Sequence, residues 1–216
     1  MDKFAFTLAE VLITLGIIGI VAAMTLPTII QKQYQKEASS RLKKFYSAMS
    51  QAILLSEVDN GSLEYWDKKS SIMNDDGSYN STANDMLAEE YFDKYFAKYL
   101  KIASKGYLNE DSRKRFQTIF ADGSSANWGN GGCIDITYDV NGGKNPNLLG
   151  FDRFPFTICH DKKPAFTSYT KNSIKSRDVA VEKCKTTPQY CVVVLEFDNW
   201  EFKSDYPWPT VKKGVY

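Results

Sequence analysis

The chain has 216 residues, and its 27 basic and 26 acidic side chains leave a formal net charge of +1. This balance lacks the basic excess of nucleic-acid-binding proteins, so no nucleic-acid partner is predicted. An aromatic content of 14% suits a β-rich domain with a sizeable core, and the length beyond an apolar N-terminal segment suits a single domain.

The first predicted element is an apolar helix near the N-terminus. Glu10 is the one ionisable residue in the run from Phe6 to Leu26. At ~1.5 Å per residue this run spans roughly 30 Å, which matches the hydrocarbon core of a bilayer. A secretory signal peptide has a shorter apolar centre and no acid inside it. The segment is therefore predicted to span a membrane, and Pro27 to kink or loosen the helix by removing one hydrogen bond.

Glu10 is the residue that an ordinary anchor does not explain. A carboxylate at the centre of a membrane helix costs ~2.5 to 3.5 kcal/mol, and less near an end. No Lys or Arg occurs between Lys3 and Lys32. A partner must therefore come from another chain, from the interface or from a newly made amino terminus. The alternative is a single-pass anchor in which Glu10 lies at the level of the lipid headgroups.

The N-terminal string from Lys3 to Glu10, KFAFTLAE, precedes an apolar run that contains Gly16, Gly19 and Pro27. Together these features resemble the class III leader of type IV pilins and type II secretion pseudopilins. The resemblance implies that a prepilin peptidase cuts between Ala5 and Phe6 and that the new Phe6 amine is N-methylated. The family usually has Gly before the cut, where this chain has Ala5.

The same resemblance implies the chain's location, partners and function. Residues 1–5 are a cleaved leader, and residues 6–30 are the transmembrane and assembly helix, in which Glu10 pairs with the Phe6 amine of a neighbouring subunit. The chain is expected in a bacterial inner membrane, crossing it once with a cytoplasmic N-terminus and an extracytoplasmic head. It then joins a filament at the cell surface or in the periplasm. The expected partners are prepilin peptidase, other pilin or pseudopilin subunits, the inner-membrane assembly platform and, before assembly, membrane lipid.

Residues 31–58 are predicted to continue the helix as an amphipathic segment, because apolar side chains recur there at steps of three and four. These apolar side chains are Tyr34, Ala38, Leu42, Phe45, Met49, Ala52 and Ile53. The whole helix is expected from about Phe6 to Ser56, before the turn signal Asp59-Asn60-Gly61. Residues 59–216 form the head. The predicted fold class is α+β, with the long helix packed on an antiparallel sheet, and the resemblance predicts this pilin-like shape too.

A second helix is predicted from Met86 to Ala103. Asn84 or Asp85 is expected to cap it, Gly106 to stop it, and its rows of apolar and aromatic side chains to face the core. The preceding stretch, Ser70 to Asn84, is predicted to be a loop because it is rich in Ser, Asn, Asp and Gly.

Strand patterns follow the second helix and predict an antiparallel meander. The predicted strands are residues 116–121, 124–128, 133–138 and 154–159. Beyond them, Ile174 to Lys183 is predicted to be a short helix. The apolar run from Val192 to Phe197 has strand propensity, but both strand and helix remain open for Cys191 to Phe197. Tyr206 and Trp208 are expected to hold the C-terminal tail on the domain.

The loop from Asp139 to Asp152 is dense in oxygen-bearing side chains and resembles a segment of many pilin-like heads. Asp139, Asn141, Asn147 and Asp152 offer oxygens to calcium, which takes six to eight. Major pseudopilins carry a calcium loop that is more acidic than this one. The alternative is an Asx-rich turn held by its own side-chain to backbone hydrogen bonds, since the closing Glu of an EF-hand is absent. No other cofactor is predicted.

The chain has four cysteines, all in its second half. An even number beyond a membrane anchor suggests an oxidising compartment and two disulfides, with three possible pairings. Cys184 and Cys191 enclose a short loop, which favours that bridge and leaves Cys133 with Cys159. Free thiols and a zinc site are the alternatives, but CxxC is absent.

No catalytic residue is predicted. His160 is the only histidine, and it is expected at the surface at the end of a strand. Its neighbour Cys159 would point to the opposite face, so the two cannot form a nucleophile and base pair. No enzyme is predicted, and the resemblance to the pilin family implies a structural subunit, either a minor pilin or a pseudopilin. A membrane-anchored protein whose head binds a ligand or calcium is the alternative.

Overall fold

The computed structural model describes residues 7–110 and 113–209. These residues form one long N-terminal helix followed by an α+β head, as the sequence predicts. The α-helices are α1 (Leu8–Asn60), α2 (Ser81–Tyr95), α3 (Arg177–Thr186) and α4 (Cys191–Phe197). Three short 3-10 helices cover Leu63–Tyr65, Lys171–Ser173 and Pro188–Tyr190.

The helix α1 is a single element of 53 residues that continues through Pro27. It ends at Asn60, four residues beyond the predicted end at Ser56. Gly61 follows with φ 79°, a backbone conformation that L side chains rarely adopt, and its N–H donates to Glu57 O. The predicted turn signal is therefore the true stop, although its first two residues still belong to the helix.

The two halves of α1 have different environments. Residues 8–33 are exposed along their whole length, whereas buried residues recur from Ala38 onward. The amphipathic segment predicted for residues 31–58 is confirmed, because its predicted apolar face is the face that packs on the head. The buried residues of α1 are Ala38, Leu42, Phe45, Met49, Ala52, Ile53 and Ser56.

A six-stranded antiparallel sheet forms the main layer of the head, and its strands are ordered as they occur in the chain. The strands are β1 (Ile102–Glu110), β2 (Arg113–Phe120), β3 (Ser125–Asn130), β4 (Ile134–Asp139), β5 (Arg153–Ile158) and β6 (Phe166–Ser168). The predicted meander is confirmed as β2 to β5, with ends that differ by one to three residues. The strands β1 and β6, one at each edge, were not predicted.

The predicted bounds of the second helix, Met86 to Ala103, are wrong at both ends. The helix α2 begins after Asn80, whose side chain accepts a hydrogen bond from Ala83 N at 2.9 Å. The expected cap Asn84 is buried inside α2, where it bonds both the N–H and the carbonyl of Ile72. Ala103 and Gly106 lie in β1, because the backbone there pairs with β2 in place of a further helical turn.

The core lies between α1, α2 and one face of the sheet. The buried Phe45 of α1 stacks on Tyr138 of β4 with ring centroids 4.1 Å apart. The aromatic rows predicted for the second helix are core, since Phe92 and Phe96 lie 5.0 and 5.5 Å from the ring of Trp128. The sheet is therefore held to both helices by aromatic contacts.

The C-terminal region packs as two short helices and a tail. The helix α3 begins after Ser176, three residues later than predicted, because that serine caps it through a hydrogen bond from Val179 N. The open question at Cys191 to Phe197 is answered by α4, a helix. The tail is held as predicted, since Tyr206 donates to Gly150 O at 2.6 Å and Trp208 stacks on Phe202.

Candidate membrane and assembly site

The exposed half of α1 is the first candidate functional surface. It is long and apolar enough to cross a membrane, and none of its most apolar window is buried against the head. Its large apolar side chains are mostly more than half exposed, and Leu8 reaches 78%. An exposed apolar surface of this extent is typical of a segment that lipid or another apolar surface covers.

Glu10 lies in the first turn of this surface and forms a capping box with Thr7. The Thr7 N–H and hydroxyl both donate to Glu10 Oε2 at 2.8 Å, and Glu10 N donates to Thr7 Oγ1 at 3.2 Å. Sequence reasoning sought a partner for Glu10 elsewhere and missed this one, although Thr7-x-x-Glu10 is the sequence signature of a capping box. The predicted processing residues Ala5 and Phe6 lie outside the described residues.

The loop between β4 and β5 is the second candidate site. Asp139 Oδ1 accepts from the N–H groups of Asn141 and Gly142, and Asp139 Oδ2 accepts from Arg153 Nε at 3.1 Å. Gly142 is needed here, because a Cβ on it would lie 1.9 Å from Gly123 O. The first carboxylate of the predicted calcium set is therefore already engaged by three donors of the chain.

The second carboxylate of that set, Asp152, is buried and also fully engaged. Its Oδ1 accepts from Leu148 N at 2.6 Å, and its Oδ2 accepts from Asn147 N and Asn141 Nδ2. Burial raises the pKa of Asp152, while the Asn147 and Leu148 N–H groups lower it. Only Asn141 Oδ1 and Asn147 Oδ1 are buried without a hydrogen-bond partner among the described residues of this loop.

These contacts engage the carboxylates of the predicted calcium set with donors of the chain itself. Calcium needs six to eight oxygens, and every carboxylate oxygen of the predicted set accepts an N–H instead. The guanidinium of Arg153 also occupies the position next to Asp139 that a bound cation would take. The loop is arranged as the alternative predicted from sequence, an Asx-rich turn that satisfies its own polar groups.

Both disulfides have the pairing that the sequence favours. Cys133 and Cys159 flank β4 and β5, where Ile134 pairs with Ile158, so the strand register brings the two sulfurs together. The carboxylate of Asp161 is close to these sulfurs. Because the sulfurs are bonded to each other, they are not thiolate ligands for a metal. Cys184 at the end of α3 joins Cys191 at the start of α4.

His160 is half-buried, whereas the sequence predicts a surface position. Its Nε2 lies 2.8 Å from the Tyr91 hydroxyl, which α2 positions. Burial lowers the pKa of His160, with a further lowering from Lys68, so the neutral ring is favoured. The cysteine next to it is bonded in a disulfide, so the two residues do not form a nucleophile and base pair.

A family model described as a family of unknown function, DUF6613, matches residues 28–209. No curated protein and no solved structure matches the chain. The matched region begins at residue 28, so it covers the head and the half of α1 that packs on it.

Proposed function

We propose that this chain, which belongs to the family of unknown function DUF6613, is a structural subunit of a type IV pilus or a type II secretion-like filament. One observation carries this proposal. The exposed apolar half of α1 continues without a break into the half that packs on the head. An anchor that is part of a rigid helix can leave lipid and pack against copies of itself while the head stays attached.

The proposed sequence of events follows from the two environments that can cover an apolar helix, which are lipid and other apolar helices. The subunit first waits in the inner membrane with its head outside, and both disulfides fit that oxidising location. Prepilin peptidase removes the leader, and the apolar helices then bundle in the filament. The long loops of the head fit a minor subunit. The proposed mechanism is assembly, which requires no catalytic residue.

Processing by prepilin peptidase is the direct test of this proposal. Co-expression with a prepilin peptidase should shorten the chain by the leader, Met1 to Ala5, and leave N-methylated Phe6 at the new terminus. Intact-mass spectrometry and sequencing of the N-terminal peptide measure both changes. An Ala5→Gly variant restores the family's usual residue and should be cut at least as efficiently. A chain that keeps its leader in both forms would contradict the proposal.

A membrane-anchored head that binds calcium is the second candidate function. Only the two unpartnered oxygens of Asn141 and Asn147 favour it, and the engaged carboxylates of Asp139 and Asp152 oppose it. We therefore expect added calcium to leave the melting temperature of the detergent-solubilised chain unchanged. Magnesium at equal concentration is the control for ionic strength. A calcium-specific rise in melting temperature that Asp152→Asn removes would establish the second function instead.

A further inference from the structure

The base of the head lies close to the end of the apolar half of α1. Ile30 is the last residue of the apolar stretch, and Tyr34 is the first residue of α1 that is not exposed. The Tyr34 hydroxyl donates to Phe151 O at 2.6 Å, and the two rings stack with centroids 5.1 Å apart. The head therefore begins one helical turn beyond the apolar surface.

This spacing places the base of the head at the membrane surface if α1 spans a bilayer, which is the one part of the proposed function that the inference needs. Ile30 and Tyr34 are separated by ~6 Å along the helix axis. The headgroup layer on each side of a bilayer is roughly 5 to 7 Å thick. Side chains of a helix lean toward its N-terminus, so the Tyr34 ring lies lower than its Cα. Tyr34 and Phe151 thus reach the headgroup layer.

The side chains at this level have the character of an interfacial anchor. The Trp208 ring lies 5.5 Å from Phe151 and 6.3 Å from Tyr34, and all three residues remain half-buried. Tyr and Trp are enriched at membrane interfaces because their rings combine an apolar body with a polar group. The aromatic cluster on the base of the head therefore suits contact with lipid headgroups.

Positive charge flanks the aromatic cluster. Lys32 and Lys36 are exposed one turn apart on α1, and they line a groove of ≈ 550 Å³ together with Lys43, Glu201 and other residues. Glu201 in this groove is paired with Lys43 at 2.9 Å. Among the side chains that the structure describes, no carboxylate forms an ion pair with Lys32 or Lys36. Two uncompensated cations therefore face the level of the phosphates.

We infer that the basal face, defined as Lys32, Lys36, Tyr34, Phe151 and Trp208, docks on anionic phospholipid headgroups before assembly. Docking fixes the depth of α1 in the bilayer and the orientation of the head above it. Each lysine near an anionic membrane surface shifts such an equilibrium by about fivefold, so the pair shifts it by about 25-fold. Assembly into a filament would have to release this contact.

The tryptophans of the chain make the contact measurable. Of the four, Trp66, Trp128 and Trp200 are buried in the head, and Trp208 alone is half-exposed. The full chain is reconstituted in vesicles of phosphatidylcholine mixed with phosphatidylglycerol, and in vesicles of phosphatidylcholine alone. Both kinds of vesicle contain a phospholipid that carries a quencher on its headgroup. Quenching of the Trp208 emission, identified by its loss in Trp208→Phe, then reports docking. Flotation of the vesicles reports insertion of α1 separately.

We expect strong Trp208 quenching in the anionic vesicles and weaker quenching in phosphatidylcholine alone. The double variant Lys32→Gln/Lys36→Gln should still float but should reduce the ratio of docked to undocked heads by about 25-fold. The control Lys162→Gln/Lys163→Gln removes the same charge near the far end of α1 and should behave as wild type. If the chain floats but the quenching of Trp208 does not depend on the anionic lipid, this inference alone is overturned. A chain that does not float overturns the membrane step of the proposed function with it.

Discussion

A Glu10→Ala chain should insert into the membrane normally and fail to enter filaments. Removing the only acid of the apolar run lowers the cost of insertion, so membrane levels should equal or exceed those of wild type. In the filament the carboxylate is proposed to pair with the Phe6 amine of a neighbour. A charged hydrogen bond contributes ~1.5 to 3 kcal/mol, so the loss at each subunit contact should lower recovery of the subunit in sheared filaments by about tenfold or more.

The capping box provides a sharp control for this prediction. Glutamine at position 10 can still accept from Thr7 and cap the helix, but it carries no charge. If Glu10 acts through its charge, Glu10→Gln should fail as completely as Glu10→Ala. Thr7→Val keeps the charge and loses the hydroxyl of the cap, at a cost of ~1 kcal/mol, and should still assemble. Normal filament recovery with Glu10→Gln would show that capping alone explains the residue.

Phe45→Ala should destabilise the head by ~3 to 5 kcal/mol, because Phe45 joins α1 to the sheet. Its side chain is only 3% exposed, and its ring lies within 4.1 to 6.4 Å of four other aromatic rings. These rings belong to Phe120, Tyr138, Phe156 and Phe166. Denaturant unfolding of the chain in detergent, followed by buried tryptophan fluorescence, measures the loss.

The same helix offers the matched control. Leu54 is 63% exposed on α1, and Leu54→Ala should change the free energy of unfolding by less than ~0.5 kcal/mol. If Phe45→Ala fails to fold, Phe45→Leu is the milder variant, with an expected loss of less than ~1.5 kcal/mol. Equal effects at positions 45 and 54 would contradict the packing of α1 on the head.

The elements that the sequence predicts well have one buried face and one face that is at least partly exposed. The amphipathic half of α1 and the strands β2 to β5 alternate in this way, so their periodicity is visible. The edge strand β1 was missed because residues 103–107 are all exposed, which leaves no pattern. The run in α4 is buried from Cys191 to Leu195, and periodicity cannot distinguish a helix from a strand when every face is buried.

Some features of the candidate sites could be predicted from the sequence and others could not, for a similar reason. The Asx-rich turn, given as an alternative, and the favoured disulfide pairing could both be predicted from residue types and their spacing. Contacts between residues distant in the sequence could not be predicted. Asn84 has a side chain typical of a helix N-cap, but it hydrogen-bonds to Ile72 and Asn130 instead. Membrane orientation is also ambiguous from charge alone. Lysine and arginine are more numerous after the apolar run than before it, which by itself favours a cytoplasmic head, whereas the disulfides favour an oxidising compartment.

The unbroken course of α1 from Leu8 to Asn60 would make the proposed anchor a lever as well. Membrane helices tilt by ~20° on average, and in the proposed membrane-anchored state the helix from Ile30 to Leu54 would extend ~36 Å above the bilayer. If α1 stays straight through Pro27, a tilt of that size moves the far end of the head sideways by ~12 Å. Small changes in bilayer thickness would therefore be amplified into large displacements of the surface that the head presents to its neighbours.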